Sequence, residues 1–110
     1  MKNKKEIILD FSKEIANILG ADLKKIILYG SYARGDYREN SDVDIMVLTS
    51  LTDVEIEMIE NDIYNVAFEY EMKYFIDFSV VIKNEEQFNY WLGVLPFYEN
   101  VKKEGILLNG

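Results

Sequence analysis

Residues 30–48 read GSYARGDYRENSDVDIMVL, and this stretch decides the fold. It joins the pair Gly30-Ser31 to two aspartates, Asp42 and Asp44, which lie inside a strongly apolar run. The alternation of acidic and apolar residues predicts a β-strand with both carboxylates on one face. Two like charges this close repel each other unless a cation lies between them. The spacing therefore indicates a metal-assisted site. The apolar residues that alternate with the acids are Val43, Ile45 and Val47.

Composition limits the chemistry of such a site. The 110 residues are 49% apolar and 14% aromatic with one proline, which is typical of an ordered globular protein and predicts a single domain over residues 1–110. The sequence has no cysteine and no histidine, so thiolate and imidazole ligands are excluded. Carboxylates must supply any metal ligands.

The net charge of −8 limits the partners. Binding to a nucleic-acid polymer is not expected, because such binding depends on clustered Lys and Arg. An acidic surface is compatible with a basic protein partner and equally with no partner. The N-terminal apolar run stops at Asp10, too early for a secretion signal, and no segment is long enough to span a membrane. We therefore expect a cytoplasmic protein.

The rest of the sequence predicts alternating helices and strands. We expect a helix over Lys4–Leu19 ended by Gly20, a strand closing at Gly30, a short helical turn opened by Ser31 and a strand over Asp42–Leu48. Thr52 and Glu55 have the form of a capping box that opens a helix. The inward residues of that helix are predicted to be Ile56, Ile59, Ile63, Ala67 and Tyr70.

The last third predicts one more long strand and two short helices. A strand beginning at Lys73 or Tyr74 would carry Asp77 on its outward face. Two helical pieces broken at Pro96 follow, and Ile106 opens a short edge strand or a docked tail. The fold class is therefore α/β (α+β), a small mixed sheet with helices packed mainly on one face and the other face free for chemistry.

This arrangement resembles the nucleotidyltransferase superfamily typified by DNA polymerase beta. The short form GSYARGD and the tail FYENVKKEGILL look like the minimal nucleotidyltransferases encoded beside HEPN-domain proteins. The resemblance implies a polymerase beta-like fold and an antitoxin that transfers AMP from ATP to a tyrosine of its HEPN toxin partner. The matching positions are Gly30-Ser31, Asp42, Asp44 and Asp77.

The residue types suit that chemistry. Gly30 allows phosphates to approach the backbone, Ser31 adds a hydroxyl donor, and Arg34 could neutralise triphosphate charge. Asp42 and Asp44 could hold one or two Mg²⁺ ions, or Mn²⁺ in their place. Asp77 would be a third ligand and would accept the proton of the acceptor hydroxyl.

Each motif has a structural alternative. Gly-Ser can be an ordinary turn, and Asp-Val-Asp a solvated strand edge. Arg34 could pair with Asp36, Asp42 or Glu39 instead of phosphate, and Asp77 could pair with Lys73 or Lys83. The aromatic residues of the C-terminal third could form core or a protein interface, and the role of Arg38 stays open. Those aromatic residues are Phe88, Tyr90, Trp91, Phe97 and Tyr98.

Three functions compete. The first is an enzyme that transfers a nucleotide, from ATP or another nucleoside triphosphate, to a hydroxyl of a partner protein. The second is a non-catalytic antitoxin that neutralises its partner by covering it. The third is transfer to a small molecule, which would need an acceptor surface in trans or a homo-oligomer, because only 33 residues follow Asp77.

Overall fold

The computed structural model describes residues 2–110 and consists of a four-stranded sheet with helices on both faces. Two long helices pack on one face, and two short helices cover part of the other. Along the chain the elements are α1 (Lys4–Leu19), a 3-10 turn (Gly20–Asp22), β1 (Leu23–Tyr29), α2 (Ser31–Arg34), β2 (Val43–Thr49), α3 (Asp53–Tyr74), β3 (Phe78–Asn84), α4 (Glu85–Trp91), α5 (Pro96–Glu104) and β4 (Ile106–Asn109).

The strands are arranged in the order β3-β2-β1-β4. Strand β1 runs antiparallel to β2 and β4, whereas β2 and β3 run parallel. The predicted mixed sheet is therefore confirmed, and the C-terminal segment is an edge strand. Because of these directions, the C-terminal end of β1 and the N-terminal ends of β2 and β3 meet at one edge of the sheet.

Helix α3 forms the connection between the parallel strands β2 and β3. Its predicted capping box is present, with Thr52 as the N-cap and Glu55 three residues later. The 22 residues of α3 extend for about 33 Å. Despite that length, no helix within residues 2–110 is both long and apolar enough to cross a membrane.

The main core lies between the sheet and the two long helices. Phe11 of α1 is fully buried there. Its ring stacks on Phe78 with centroids 4.1 Å apart and meets Tyr70 edge-on at 5.4 Å. Truncation of such a buried Phe to Ala costs about 3–5 kcal/mol. This packing fixes the start of β3, which is the part of the strand closest to Asp77.

The second sheet face is less open than the sequence predicts. Met46 and Leu48 lie on the same face as Asp44 and are buried against Phe88 of α4 and Val101 of α5. The expectation that this face is free for chemistry is wrong over most of its length, because apolar residues on the face of a central strand need cover. Only the end of β2 that carries Asp44 stays accessible.

Two strand boundaries also differ from the prediction. Strand β2 begins at Val43, one residue after Asp42, and β3 begins only at Phe78. The predicted start of that last strand is wrong, because Tyr74 continues the inward face of α3 and packs on the core as helix. Phe75 then ends the helix in the left-handed conformation, with φ 58°.

Candidate active site

A sharp turn after β1 forms one side of the site. Gly30 has a φ of 73°, a conformation that favours glycine, and its carbonyl accepts from the amides of Ala33 and Arg34. The first two amides of α2, those of Ser31 and Tyr32, have no partner within the helix. A Cβ added at Gly30 would overlap the Oδ2 atom of Asp44. The structure therefore places the Gly30-Ser31 turn directly against the second aspartate of the motif.

Asp44 is a half-buried carboxylate with little compensation. It pairs across the sheet with Tyr29 of β1. Burial, followed by the negative charge of Asp42, raises the pKa of Asp44, and Arg34 opposes this shift. Burial together with the charge of Asp44 raises the pKa of Tyr29 to about 12, so its phenol is neutral at physiological pH. Both shifts come mainly from burial, and the neighbouring carboxylates add to them.

Asp42 and Asp77 immediately precede neighbouring parallel strands. Val43 pairs in register with Phe78, and the amide of Val43 donates to the carbonyl of Asp77 at 2.8 Å. Because adjacent strands lie about 4.8 Å apart, the two aspartates are neighbours at the sheet edge. Both are exposed. Asp77 thus lies beside Asp42, although it is on the connection after α3 and not on a strand.

A fourth carboxylate, Glu71, belongs to the same edge. It lies on the last turn of α3, where a hydrogen bond with Asp77 and then the charge of Asp77 raise the pKa of Glu71, with smaller contributions from burial and from Asp42. Such a contact between two carboxyl groups is favourable only when one of them holds a proton. Glu71 could not be inferred from the sequence, because no motif connects a helical glutamate with an aspartate six residues later.

The donor set fits a hard divalent cation. Among residues 2–110, no three acidic side chains are gathered closely enough to hold a metal ion by themselves. Mg²⁺ is commonly held by one or two protein carboxylates together with substrate phosphates. The unbalanced charge of Asp42 and Asp44 matches that arrangement, in which the nucleotide supplies the remaining oxygen atoms.

Arg34 is engaged with acidic side chains. Its Nε donates to Asp36 at 3.2 Å and its Nη1 to Glu104 at 3.1 Å. These ion pairs are exposed, so each contributes little to stability and exchanges readily with another anion. The predicted alternative pairing with Asp36 is confirmed. Glu104 lies on α5, 70 residues away in sequence, and could not be inferred from spacing.

A cleft of about 780 Å³ opens beside Asp77, between the start of α1, α2 and the end of α3. On its α2 side Tyr32 stacks on Tyr37 with centroids 4.2 Å apart, and Lys4 donates to the Tyr32 hydroxyl at 3.2 Å. The cleft is also lined by Lys2, Lys73 and Phe75. Among residues 2–110, the ion pairs join Lys2 to Asp10 and Arg34 to its two acids, so none involves Asp77. The third aspartate therefore faces this cleft without a lysine partner.

The aromatic residues of the C-terminal third differ in burial. Phe88 and Tyr98 pack in the second cluster with ring centroids 5.2 Å apart. Tyr90, Trp91 and Phe97 remain exposed. Phe88 and Tyr98 are therefore packing residues, and an interface formed by the other three stays a prediction.

Comparison with known proteins identifies the fold and its family. A model of the nucleotidyltransferase domain matches residues 6–108. A Methanocaldococcus jannaschii protein named "Putative protein adenylyltransferase" is 44% identical over 77 residues, which is 70% of this chain and 76% of that protein. A second protein of that name from the same organism is 33% identical over 106 residues, 96% of this chain and 98% of that protein.

Among solved structures, a toxin-antitoxin crystal structure with AMP-PNP superposes with a TM-score of 0.57 at 22% identity, over 93% of this chain and 73% of that chain. At this identity the likeness concerns the fold alone, and it agrees with the mixed sheet and the helix arrangement described above. The family model spans nearly the whole chain, including the turn and the three aspartates. This protein is a nucleotidyltransferase and belongs to the nucleotidyltransferase domain family.

Proposed function

We propose that this nucleotidyltransferase transfers AMP from ATP to a tyrosine hydroxyl of a HEPN-domain toxin and so acts as its antitoxin. The observation that carries the proposal is the meeting of the Gly30-Ser31 turn with Asp42, Asp44 and Asp77 at one sheet edge. The relatives named as protein adenylyltransferases and the toxin-antitoxin neighbour support the acceptor class.

The nucleotide end of the site is assigned to the turn and to the first two aspartates. Ser31 and its backbone amide face the phosphates, and Gly30 keeps the backbone free of a side chain at that point. Arg34 leaves its exposed acidic partners to neutralise phosphate charge. Asp42 and Asp44 would hold Mg²⁺, or Mn²⁺, in a two-metal site completed by Asp77. Such an ion, when bound, offsets charge on the α-phosphate and on the leaving pyrophosphate.

The acceptor end is assigned to Asp77. The tyrosine hydroxyl oxygen attacks the α-phosphorus, an oxygen–phosphorus bond forms, and the bond to the pyrophosphate oxygen breaks. Asp77 orients the hydroxyl and accepts its proton. The cleft beside Asp77 supports this assignment, because it leaves the third carboxylate accessible to a hydroxyl from another molecule.

Co-expression with a HEPN-domain partner followed by intact-mass spectrometry tests the proposal. We expect the partner to gain one or more AMP units, located on a tyrosine, only when all three aspartates are present. A chain with Asp77→Asn should retain nucleotide affinity and lose the chemical step, whereas Ser31→Ala should mainly weaken nucleotide binding. Equal loss of affinity in both variants would contradict this division of roles.

One result would favour the non-catalytic antitoxin instead. It is a stable complex in which the partner gains no mass with Mg·ATP, while the triple Asp→Asn variant still neutralises the toxin completely.

A further inference from the structure

Helix α3 carries a second apolar row on the face opposite the core. Its members are large apolar side chains that are 60–91% exposed, and we call them the outer row. Their spacings along the chain are four, ten, four and three residues, which at 3.6 residues per turn keeps the four helical members on one face, with Phe75 at the C-cap. The outer row consists of Val54, Met58, Phe68, Met72 and Phe75.

The outer row is separate from the packing face of the same helix. Ile56 and Ile63 are buried in the core, whereas Met58 and Met72 are 76% and 62% exposed. A core-packing helix normally has one apolar stripe and a polar opposite face. Large apolar side chains on the free face, interrupted here by Asn61 and Asn65, are typical of a protein interaction site.

Phe75, the last member of the row, is held in an unfavourable conformation. It is the one non-glycine residue within 2–110 with a positive φ, 58°, and its side chain is 91% exposed. Glycine is the usual residue at this position of a helix end, because a side chain makes the left-handed conformation costly. A bulky ring that gains nothing from the core at a strained position indicates a role for the ring outside the fold. Phe75 also lies two residues before Asp77.

The charge around the outer row indicates the charge of the partner that would bind there. Helix α3 contains seven acidic residues and one lysine, Lys73. Glu57 and Glu69 lie beside the row at helical spacing. A second copy of this chain would place acidic flanks against acidic flanks, which is unfavourable. The surface fits a basic partner.

We propose that the outer row docks an amphipathic helix of the acceptor protein, one whose apolar stripe is flanked by Lys and Arg. From Val54 to Phe75 the row extends for about 31 Å, long enough for several turns of a docked helix. Phe75 anchors the end of that helix beside Asp77 and so delivers the acceptor hydroxyl to the site. The delivery step rests on the proposed function, whereas the docking surface does not.

A labelled peptide tests the docking surface without nucleotide. The probe is a synthetic amphipathic helix with Leu along one stripe and Lys and Arg beside it, and its counterpart has Glu in place of every basic residue. Fluorescence anisotropy should show binding of the basic peptide at low salt and at least tenfold weaker binding of the acidic one. Equal binding of both peptides, or no binding of the basic one, would overturn the proposal.

Matched variants test the location of that surface. The triple change Met58→Gln, Phe68→Gln and Met72→Gln should weaken binding of the basic peptide at least tenfold. A control variant that lacks a similar apolar surface elsewhere should bind the basic peptide with unchanged affinity. Equal weakening in the two variants would refute docking on α3, and so would sedimentation of the unaltered chain as a dimer that the triple change disperses. The control carries Tyr90→Gln, Val94→Gln and Phe97→Gln.

Phe75→Gly separates docking from folding. Because glycine favours the left-handed conformation, this change should raise the midpoint temperature of unfolding while it weakens peptide binding. A lower midpoint temperature with unchanged binding would show that Phe75 acts only in the fold. Transfer assays with the HEPN partner distinguish the two proposals. If the unaltered chain transfers AMP and the triple Gln variant does so at the same rate with limiting partner, docking is wrong and the proposed function stands.

Discussion

The two ends of helix α3 differ in how their local chemistry affects stability. At the first end, Glu55 donates its amide to the Thr52 hydroxyl at 3.3 Å, and its carboxylate accepts from the Thr52 amide at 3.0 Å. These contacts lower the pKa of Glu55. At the second end Phe75 is in a left-handed conformation, and the neighbouring Asp77 raises the pKa of Glu71. One end stabilises ionised groups in the folded state, and the other destabilises them.

This difference follows the position of the active site. The first end lies away from the three site aspartates, and there Thr52 and Glu55 each accept a hydrogen bond from the backbone amide of the other. The segment that follows the second end places Asp77 at the edge of the sheet where Asp42 and Gly30 also lie. Natural proteins break local stability rules mainly where function requires it. We therefore expect substitutions of the site carboxylates to reduce activity without loss of stability, and substitutions at the cap to do the reverse.

The largest expected effect is on catalysis. Asp42→Asn together with Asp44→Asn should reduce AMP transfer about 100-fold or more, equivalent to about 2.7 kcal/mol, because the cation ligands are lost. Labelling of the acceptor from radiolabelled ATP measures the rate, and circular dichroism checks the fold. The double variant should be at least as stable as the unaltered chain, because two repelling charges are removed.

The control for this double variant is Glu86→Gln with Glu99→Gln, which removes two exposed charges from α4 and α5. Its transfer rate should be unchanged. Transfer at the normal rate by the aspartate variant would contradict the catalytic assignment of Asp42 and Asp44.

Gly30→Ala should impair both properties. The new Cβ would overlap the Asp44 carboxylate, and the alanine would have to adopt a positive φ. We therefore expect a loss of about 1–3 kcal/mol in stability together with weaker nucleotide binding. Gly35→Ala is a matched control, because Gly35 has a φ of 85° but open space around its Cα. It should lose stability and keep nucleotide affinity. Equal affinity losses in the two variants would show that contact with Asp44 is unimportant.

Thr52→Ala should affect stability alone. Loss of an N-cap hydroxyl typically costs about 1 kcal/mol, or about 4–8 °C in midpoint temperature for a domain near 100 residues. Thermal unfolding at neutral pH measures the change, and the transfer rate should be unaltered below the transition. Thr52→Ser keeps the hydroxyl and should restore most of the stability. If Thr52→Ser is as unstable as Thr52→Ala, the hydrogen bond does not explain the effect.

The sequence predicted one end of α3 better than the other for a physical reason. The capping box depends on residues three positions apart, and the strand alternation around Asp44 depends on residues two apart, so both are visible locally. The contact of Glu71 with Asp77 depends on how α3 meets the sheet. The predicted strand start at Lys73 or Tyr74 is wrong, because the alternation after Tyr74 matches a strand while Tyr74 itself continues the helical face.

The smallest expected effect comes from Glu71→Gln, and its sign depends on pH. Because the folded protein raises the pKa of Glu71 above its usual 4.5, ionisation of this group is less favourable in the folded state than in the unfolded chain. The stability that the protonated group contributes is fully present below pH 4.5 and is lost as the pH rises through the raised pKa. Glu71→Gln should therefore raise the midpoint temperature at pH 7.5 by less than Thr52→Ala lowers it, and the gain should disappear near pH 4. Thermal unfolding between pH 4 and pH 8 in the presence of a chelator measures this, with Glu69→Gln as the control on the same helix. A gain that is constant across this pH range, or equal in Glu69→Gln, would show that the contact with Asp77 does not set the behaviour of this end of α3.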